Sequence, residues 1–216
     1  MSIVLIFDGC YIYLIFMREF YSKAIVLGRK DSGEVDAVID LFTEDFGKIS
    51  AWAKSVKKIK SKLSGHLQPM SFVKARFIQR SGPKDGWSMI DCISDDDFSD
   101  FYTKERYDLL PLINFLNKYL FEFQSDRKLW AFLSQIFLKK YDTNQTSKAL
   151  LKIMGFDPDK SSCAACHSNL VGAFKADSQI FLCQRCALKF NPNELLLFKS
   201  SPKLKLAKYF LCRLKI

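Results

Sequence analysis

No internal repeat and no low-complexity tract runs through the 216 residues, which excludes a solenoid and a compositionally disordered chain. Histidine is scarce, with two residues, and there is no glycine-rich phosphate-binding loop among the nine glycines. Acidic charge is also short: 23 Asp and Glu face 33 Lys and Arg, a formal net charge of +10. The apolar run at residues 3–17 is too short for a membrane span and is interrupted by Asp8 and Gly9. It lacks a basic leading region and a small-residue cleavage site, so it makes a poor signal peptide. Met17 follows it directly, and Arg18-Glu19-Phe20 opens an ordinary segment. The expectation is that Met17 is the true start and residues 1–16 are an upstream extension, with an interfacial anchor as the alternative.

What is abundant is apolar and basic. Nearly half the residues are apolar, 49%, and twenty are Phe, so a substantial core can form. The basic balance favours a polyanionic partner, nucleic acid first and an anionic membrane surface second. The plain alternative is a soluble basic protein with no such partner.

Four of the seven cysteines form two pairs, Cys163-Ala164-Ala165-Cys166 and Cys183-Gln184-Arg185-Cys186, sixteen residues apart. That spacing is the four-thiolate zinc pattern, and the excursion between the pairs has room for a short hairpin. The expected cofactor is one structural Zn²⁺ held by Cys163, Cys166, Cys183 and Cys186. Four thiolates leave no open position, so the site reads as a staple and not a reaction centre. With a dication the four thiolates carry −2 and the chain retains about +8. Two disulfides need an oxidising compartment, a thioredoxin-like pair needs a helix opened by one CxxC, and Cys166-His167 completes only one haem-attachment pattern. Cys10, Cys92 and Cys212 sit among apolar residues and read as reduced, buried thiols of a cytoplasmic protein.

Strand-like alternation fills residues 21–93. Five strands are expected, at 23–28, 34–43, 48–54, 71–80 and 87–93, with a turn at Glu44-Asp45-Phe46-Gly47 and a hairpin loop at 81–86. Five short strands with an irregular stretch between the third and fourth match an oligonucleotide-binding (OB) barrel. The irregular stretch, 55–66, is basic: five lysines fall between Lys54 and Lys62, while Val56, Ile59 and Leu63 are spaced to dock it. It reads either as a phosphate-tracking surface or as a solvated loop. Asp91, Asp95, Asp96, Asp97 and Asp100 form an acidic patch. Paired carboxylates can hold Mg²⁺, but a solvated linker with helix N-terminal charges explains them more simply.

From about Phe98 to Gly155 the period turns helical. One helix carries Leu109 to Phe123 and is kinked or split by Pro111; a second is capped by Ser125; a third, 144–154, stops at Gly155. A basic C-terminal helix begins near Pro202 and is expected to pack back on the bundle. The fold class is therefore α+β: an N-terminal five-stranded OB-fold barrel, then a C-terminal helical bundle with an inserted four-Cys zinc module. The expected parts are an extension at 1–16, a DNA-binding domain at 17–96, a helical domain at 97–160, the zinc module at 161–188 and the closing helix at 189–216.

That order, together with Ala24-Ile25-Val26-Leu27, Glu34 to Thr43, Gly47-Lys48-Ile49-Ser50-Ala51, Ser61 to Pro69 and Met154-Gly155-Phe156 ahead of the first cysteine pair, resembles the bacterial recombination mediator family RecO. The resemblance runs from about Met17 to the C-terminus. Ser55 departs from it where a glycine is expected, and Phe181-Leu182 replaces a pair of glycines. Some family members lack the cysteines, which makes the zinc a stabiliser. The resemblance implies a non-enzymatic protein of DNA repair, recombination and the DNA-damage response. It would bind single- and double-stranded DNA, anneal complementary strands, join RecR, contact the C-terminal tail of single-strand-binding protein and help RecA load. It also implies a cytoplasmic, nucleoid-associated location without a membrane partner. The DNA-facing set on this reading is Arg29, Lys30, Lys48, Lys54, Lys57, Lys58, Lys60, Lys62, Lys74, Arg76 and Arg80. Trp52 and Trp87 are stacking candidates, more simply read as core. A groove edged by Lys118, Arg127, Lys128, Lys139 or Lys140 would take the acidic tail. Two other classes stay open: a zinc-stabilised binder of structured RNA or protein, and a zinc-stapled nuclease using Asp91 and Asp95–Asp97.

Overall fold

The computed structural model describes residues 2–8, 11–58, 61–80, 86–95, 109–138 and 143–198, of which 2–17, 80, 137, 138 and 143 are described by backbone alone. The chain divides into two compact units, Met1–Arg106 with Leu116–Trp130, and Tyr107–Phe115 with Ala131–Ile216.

The first unit is a mixed sheet. The five expected strands are present as β2 (Tyr11–Ser32), β3 (Asp36–Thr43), β4 (Gly47–Ala53), β5 (Phe72–Arg80) and β6 (Gly86–Ser94), and β1 (Ser2–Asp8) forms an antiparallel hairpin with the start of β2. Pairing runs β2–β3–β4–β6–β5, and β5 then pairs back on β2. All contacts are antiparallel except β4–β6, which is parallel over Ala51–Ala53. Alternation explains the register. Ile49, Ala51 and Ala53 point inward, while Lys48, Ser50, Trp52 and Lys54 point outward. β2, 22 residues long, serves three partners, β1, β5 and β3, and shifts its register against β3 between Val26 and Gly28, where a bulge re-aims the strand.

The inward residues form one apolar cluster that includes Val26, Ile39, Leu41, Ile49, Phe77 and Met89. Trp87 is 7% exposed and closes this core against the rings of Phe20, Phe46 and Phe77. Residues Leu116–Trp130 cover part of the outward face. Trp130 stacks with Phe42 and Phe72, the Glu122 backbone bridges to Lys48, and Gly47 meets the backbone of Gln124. Gly47 has φ +71°, and a Cβ there would lie 2.1 Å from the Gln124 carbonyl oxygen, so both conformation and space require glycine.

The helices are α1 (Leu110–Tyr119), α2 (Arg127–Leu138) and α3 (Thr143–Ile153). Two sequence expectations are corrected here. Pro111 neither kinks nor splits α1, because it falls in the first turn, where its missing N–H has no intrahelical acceptor. Asp126, not Ser125, caps α2: its Oδ1 accepts from the N–H of Lys128 at 2.9 Å and of Leu129 at 3.0 Å. Gly155, with φ +90°, terminates α3 as expected.

The second unit holds a small antiparallel sheet, β8–β7–β9, from β7 (Val171–Lys175), β8 (Ile180–Cys183) and β9 (Leu195–Leu197). A one-turn helix, α4 (Gln184–Ala187), follows β8. Phe174 stacks with Phe115, Phe156 and Phe181 beneath the sheet. The expected C-terminal helix lies outside the described residues, as do Cys10, Cys212, Lys139 and Lys140.

Candidate functional site

The four-cysteine cluster sits at one end of the small sheet. Its Sγ atoms all lie within 4.8 Å of one another, and Cys166 and Cys183 are 3.6 Å apart. A tetrahedron with metal–sulfur bonds of about 2.3 Å has edges of about 3.8 Å, so these donors fit one thiophilic ion. The sequence builds both halves locally. In the first pair the chain turns back through His167 at φ +58°, whose N–H reaches the Cys163 carbonyl at 2.8 Å, and Cys163 N–H donates to Ser168 O at 2.9 Å. In the second pair Cys183 ends β8 and caps α4, accepting the Cys186 N–H on its sulfur at 3.4 Å. Ala164 N–H donates to Phe181 O at 2.9 Å and ties the two halves together.

The cluster's electrostatics suit a cation. Burial disfavours a charge on Cys163, but the backbone N–H groups of Cys183, Ala165 and Cys166 outweigh it and bring that thiol down to about 6. Cys186, facing the sulfurs of Cys183 and Cys166, is pushed up to about 12. Four sulfurs crowded together cannot all ionise unless a metal compensates them. Cys92, by contrast, is an isolated thiol, pushed up to about 12 by burial and then by Asp91.

The basic candidates divide sharply by what they touch. Lys30 Nζ is 2.9 Å from the buried carboxylate of Asp40, and Lys74 Nζ is 2.9 Å from that of Asp95. Lys57 Nζ reaches Asp31 at 3.1 Å and the Gly33 carbonyl at 3.0 Å. Arg29 and Arg76 lie 3.7 and 3.6 Å from Asp31 and Glu19. Lys48 turns its ammonium onto the carbonyls of Asn117 and Leu120, at the C-terminal end of α1. Lys54, Lys58 and Lys62 are exposed, and their side chains meet no acidic or carbonyl partner among the described residues. Lys60 and the Arg80 side chain lie outside the described residues.

Lys54, Lys58 and Lys62 stand on a segment that is firmly held. Val56 and Leu63 are buried in the core of the sheet, as their spacing suggests, and Leu67 follows them. Ser55 N–H donates to Asp36 Oδ1, Lys57 N–H to Val35 O, and His66 Nδ1 lies 2.7 Å from Ser94 Oγ. The ammonium groups are therefore presented from a docked platform. The two tryptophan candidates separate as well: Trp87 is core, while Trp52 is 39% exposed on the outward face of β4.

Two carboxylates are buried: Asp40, for which the sequence suggests no role, and Asp95 of the acidic patch. Asp40 is 1% exposed and receives Lys30, Ser50 Oγ at 2.8 Å and Asn117 Nδ2 at 3.1 Å. Burial raises its pKa, but the three donors outweigh burial and hold it below the usual carboxylate range. Asp95 is 2% exposed between Lys23 and Lys74, so it is not the solvated linker residue expected. Burial opposes its charge and the two lysines prevail, leaving its pKa lowered. Asp95 thus sits between two cations at 3.2 and 2.9 Å. Asp91 is exposed, and Asp96, Asp97 and Asp100 lie outside the described residues. The signal for Asp40 was an acid set between Ile39 and Leu41 in the apolar half of β3; its partner Asn117 lies too far along the chain to be read from sequence.

The family described as "Recombination protein O N terminal" matches residues 17–84. The DNA repair protein RecO of Acetivibrio thermocellus is 30% identical over 186 residues, covering 79% of this chain and 71% of its own. That of Thermodesulfovibrio yellowstonii is 28% identical over 185 residues, covering 80% and 72%. That of Dehalococcoides mccartyi is 26% identical over 185 residues, covering 78% and 70%.

Proposed function

The chain belongs to the RecO family of DNA repair proteins, and from that premise we propose that it is a DNA-binding recombination mediator with no catalytic centre of its own. It binds single- and double-stranded DNA, anneals complementary strands, and acts with RecR and the tail of single-strand-binding protein to help RecA load. It works in the cytoplasm on the nucleoid, and no described helix is long and apolar enough to cross a membrane. The ring of five strands is read as the family's OB barrel, and the helices as part of its helical bundle. The four cysteines are read as holding one Zn²⁺ that braces the second unit and takes no part in DNA contact. The family match opens at Met17, which supports residues 1–16 being an upstream extension; a natively expressed protein whose intact mass includes residue 1 would overturn that.

One observation carries the DNA-binding reading: Lys54, Lys58 and Lys62, on a docked segment, meet no carboxylate among the described residues. Ammonium groups already paired with carboxylates have little to offer a phosphate, whereas free ones release condensed counterions when a strand binds. Lys60 falls within the same segment. The paired candidates, Lys30, Lys57 and Lys74, contribute less.

The test is binding of labelled single-stranded DNA across a salt series, for the wild type and for Lys54→Ala/Lys58→Ala/Lys62→Ala. Three lost phosphate contacts make the log–log slope shallower by about 2. An unchanged slope moves the site elsewhere. Absence of single-stranded DNA binding at moderate salt, with structured RNA bound instead, overturns the mediator reading.

A further inference from the structure

We infer that Trp52 is a stacking site for an unpaired base, beside the lysines that take the phosphates, so that this face prefers single-stranded DNA to duplex. The inference rests on the DNA-binding reading above and deepens it.

Three tryptophans serve the chain, and two are accounted for by packing. Trp87 is 7% and Trp130 9% exposed, each against several aromatic rings. Trp52 lies on a strand paired on both sides, yet it is 39% exposed. A single exposed aromatic is ordinary in itself. What distinguishes this one is its place between two kinds of charge.

On the outward face of β4, Ser50 lies on one side of Trp52, and Lys54 follows just past the strand's end on the other. On the Ser50 side stand carboxylates: Ser50 Oγ is 2.8 Å from Asp40 Oδ1 and 3.1 Å from Glu122 Oε1, its one proton serving one at a time. On the Lys54 side the chain runs into Lys58 and Lys62, whose side chains have no partner among the described residues. A polyanion touching this face finds the carboxylates on the Ser50 side already engaged and is drawn toward Lys54, Lys58 and Lys62. Across the sheet, Trp52 stands opposite Val38 on β3 and Ser88 on β6, both too short to cover an indole. Lys30, opposite Val38, completes that row at the far side. An indole flanked by small side chains, one strand-end from ammonium groups that have no partner among the described residues, is the combination that holds unpaired bases regardless of sequence. In a duplex both faces of a base are already stacked, which denies it this contact.

The experiment uses the full chain and three labelled ligands: an oligo(dT), a blunt duplex of equal length, and an abasic strand that keeps the phosphates without the bases. Trp52→Leu is compared with the wild type and with Trp52→Phe, which retains a ring. Loss of one stacked base weakens oligo(dT) binding by about 5- to 150-fold. The expected pattern is that loss for Trp52→Leu, with an unchanged salt slope, unchanged abasic-strand affinity and near-wild-type behaviour of Trp52→Phe. If wild type binds oligo(dT) and Trp52→Leu binds it equally, the stacking site is wrong while the DNA-binding reading stands. If Trp52→Leu loses oligo(dT) and abasic strand alike, Trp52 acts on the fold and the inference is overturned. If wild type binds no strand, both readings fall together.

Discussion

The main-chain N–H of Ser55 donates to Asp36 Oδ1 at 2.6 Å while Ser55 is held at φ +56°. This contact fixes the exit of the chain from β4 into the basic segment. A left-handed conformation costs a side-chain-bearing residue about 1–2 kcal/mol, whereas glycine adopts it freely. The sequence reading expects glycine here, and the structure shows the backbone that glycine would suit. Ser55→Gly should stabilise the first unit by about 0.5–1 kcal/mol once the greater freedom of the unfolded glycine is subtracted. Asp36→Ala, which removes the acceptor, should destabilise it by about 1–2 kcal/mol. Urea midpoints read from tryptophan emission check both.

Lys48 and the lysines of the basic segment should respond to mutation in opposite ways. The Lys48 ammonium sits on the last carbonyls of α1, where a cation is favourable. Lys48→Ala should therefore cost about 1–2 kcal/mol of stability and leave the salt slope of DNA binding unchanged. Lys54→Ala/Lys58→Ala/Lys62→Ala should leave stability within about 0.5 kcal/mol and change the slope. A salt series and a urea melt on the same preparations separate the two cases.

The buried acids set an acid limit. Asp40 and Asp95 both have pKa values lowered by their lysine and hydrogen-bond partners despite burial. Protons bind the unfolded chain more readily than the folded one at these sites. Their contribution to stability is thus fully present above about pH 4, where the unfolded acids ionise, and is lost as pH falls through the folded values. Stability measured by urea at stepped pH should decline below about pH 4, and Asp95→Asn should flatten that decline while lowering the neutral-pH value.

Metal should be integral to the second unit. Native protein should carry one zinc per chain by elemental analysis; iron in its place would overturn the zinc assignment. Cys163→Ser should abolish retention and expose the module to protease. Because the three tryptophans lie in the first unit, their emission should stay native on metal removal, as should the salt slope of DNA binding.

Much of this was legible from local pattern. Alternation placed β3 to β6, the cysteine spacing placed the metal cluster, and Val56 and Leu63 placed the docked face of the basic segment. What escaped was decided by tertiary contact. Whether a lysine is free depends on the acid that folds beside it, as Lys74 with Asp95 and Lys30 with Asp40 illustrate. The extent of β2 depended on its having three partners, and β9 is three leucines, too short to show a period.

The pairing of β2 with both β3 and β5 has a kinetic consequence. Arg18 must find Gln79, and Ile25 must find Phe72, with β3, β4 and the basic segment between them in the chain, before the ring closes. In the small sheet Lys175 meets Ile180 around a tight turn. Local contacts form early and distant ones late. The cysteine module, though later in the chain, is thus expected to reach its native pairing sooner than the sheet that carries the basic segment.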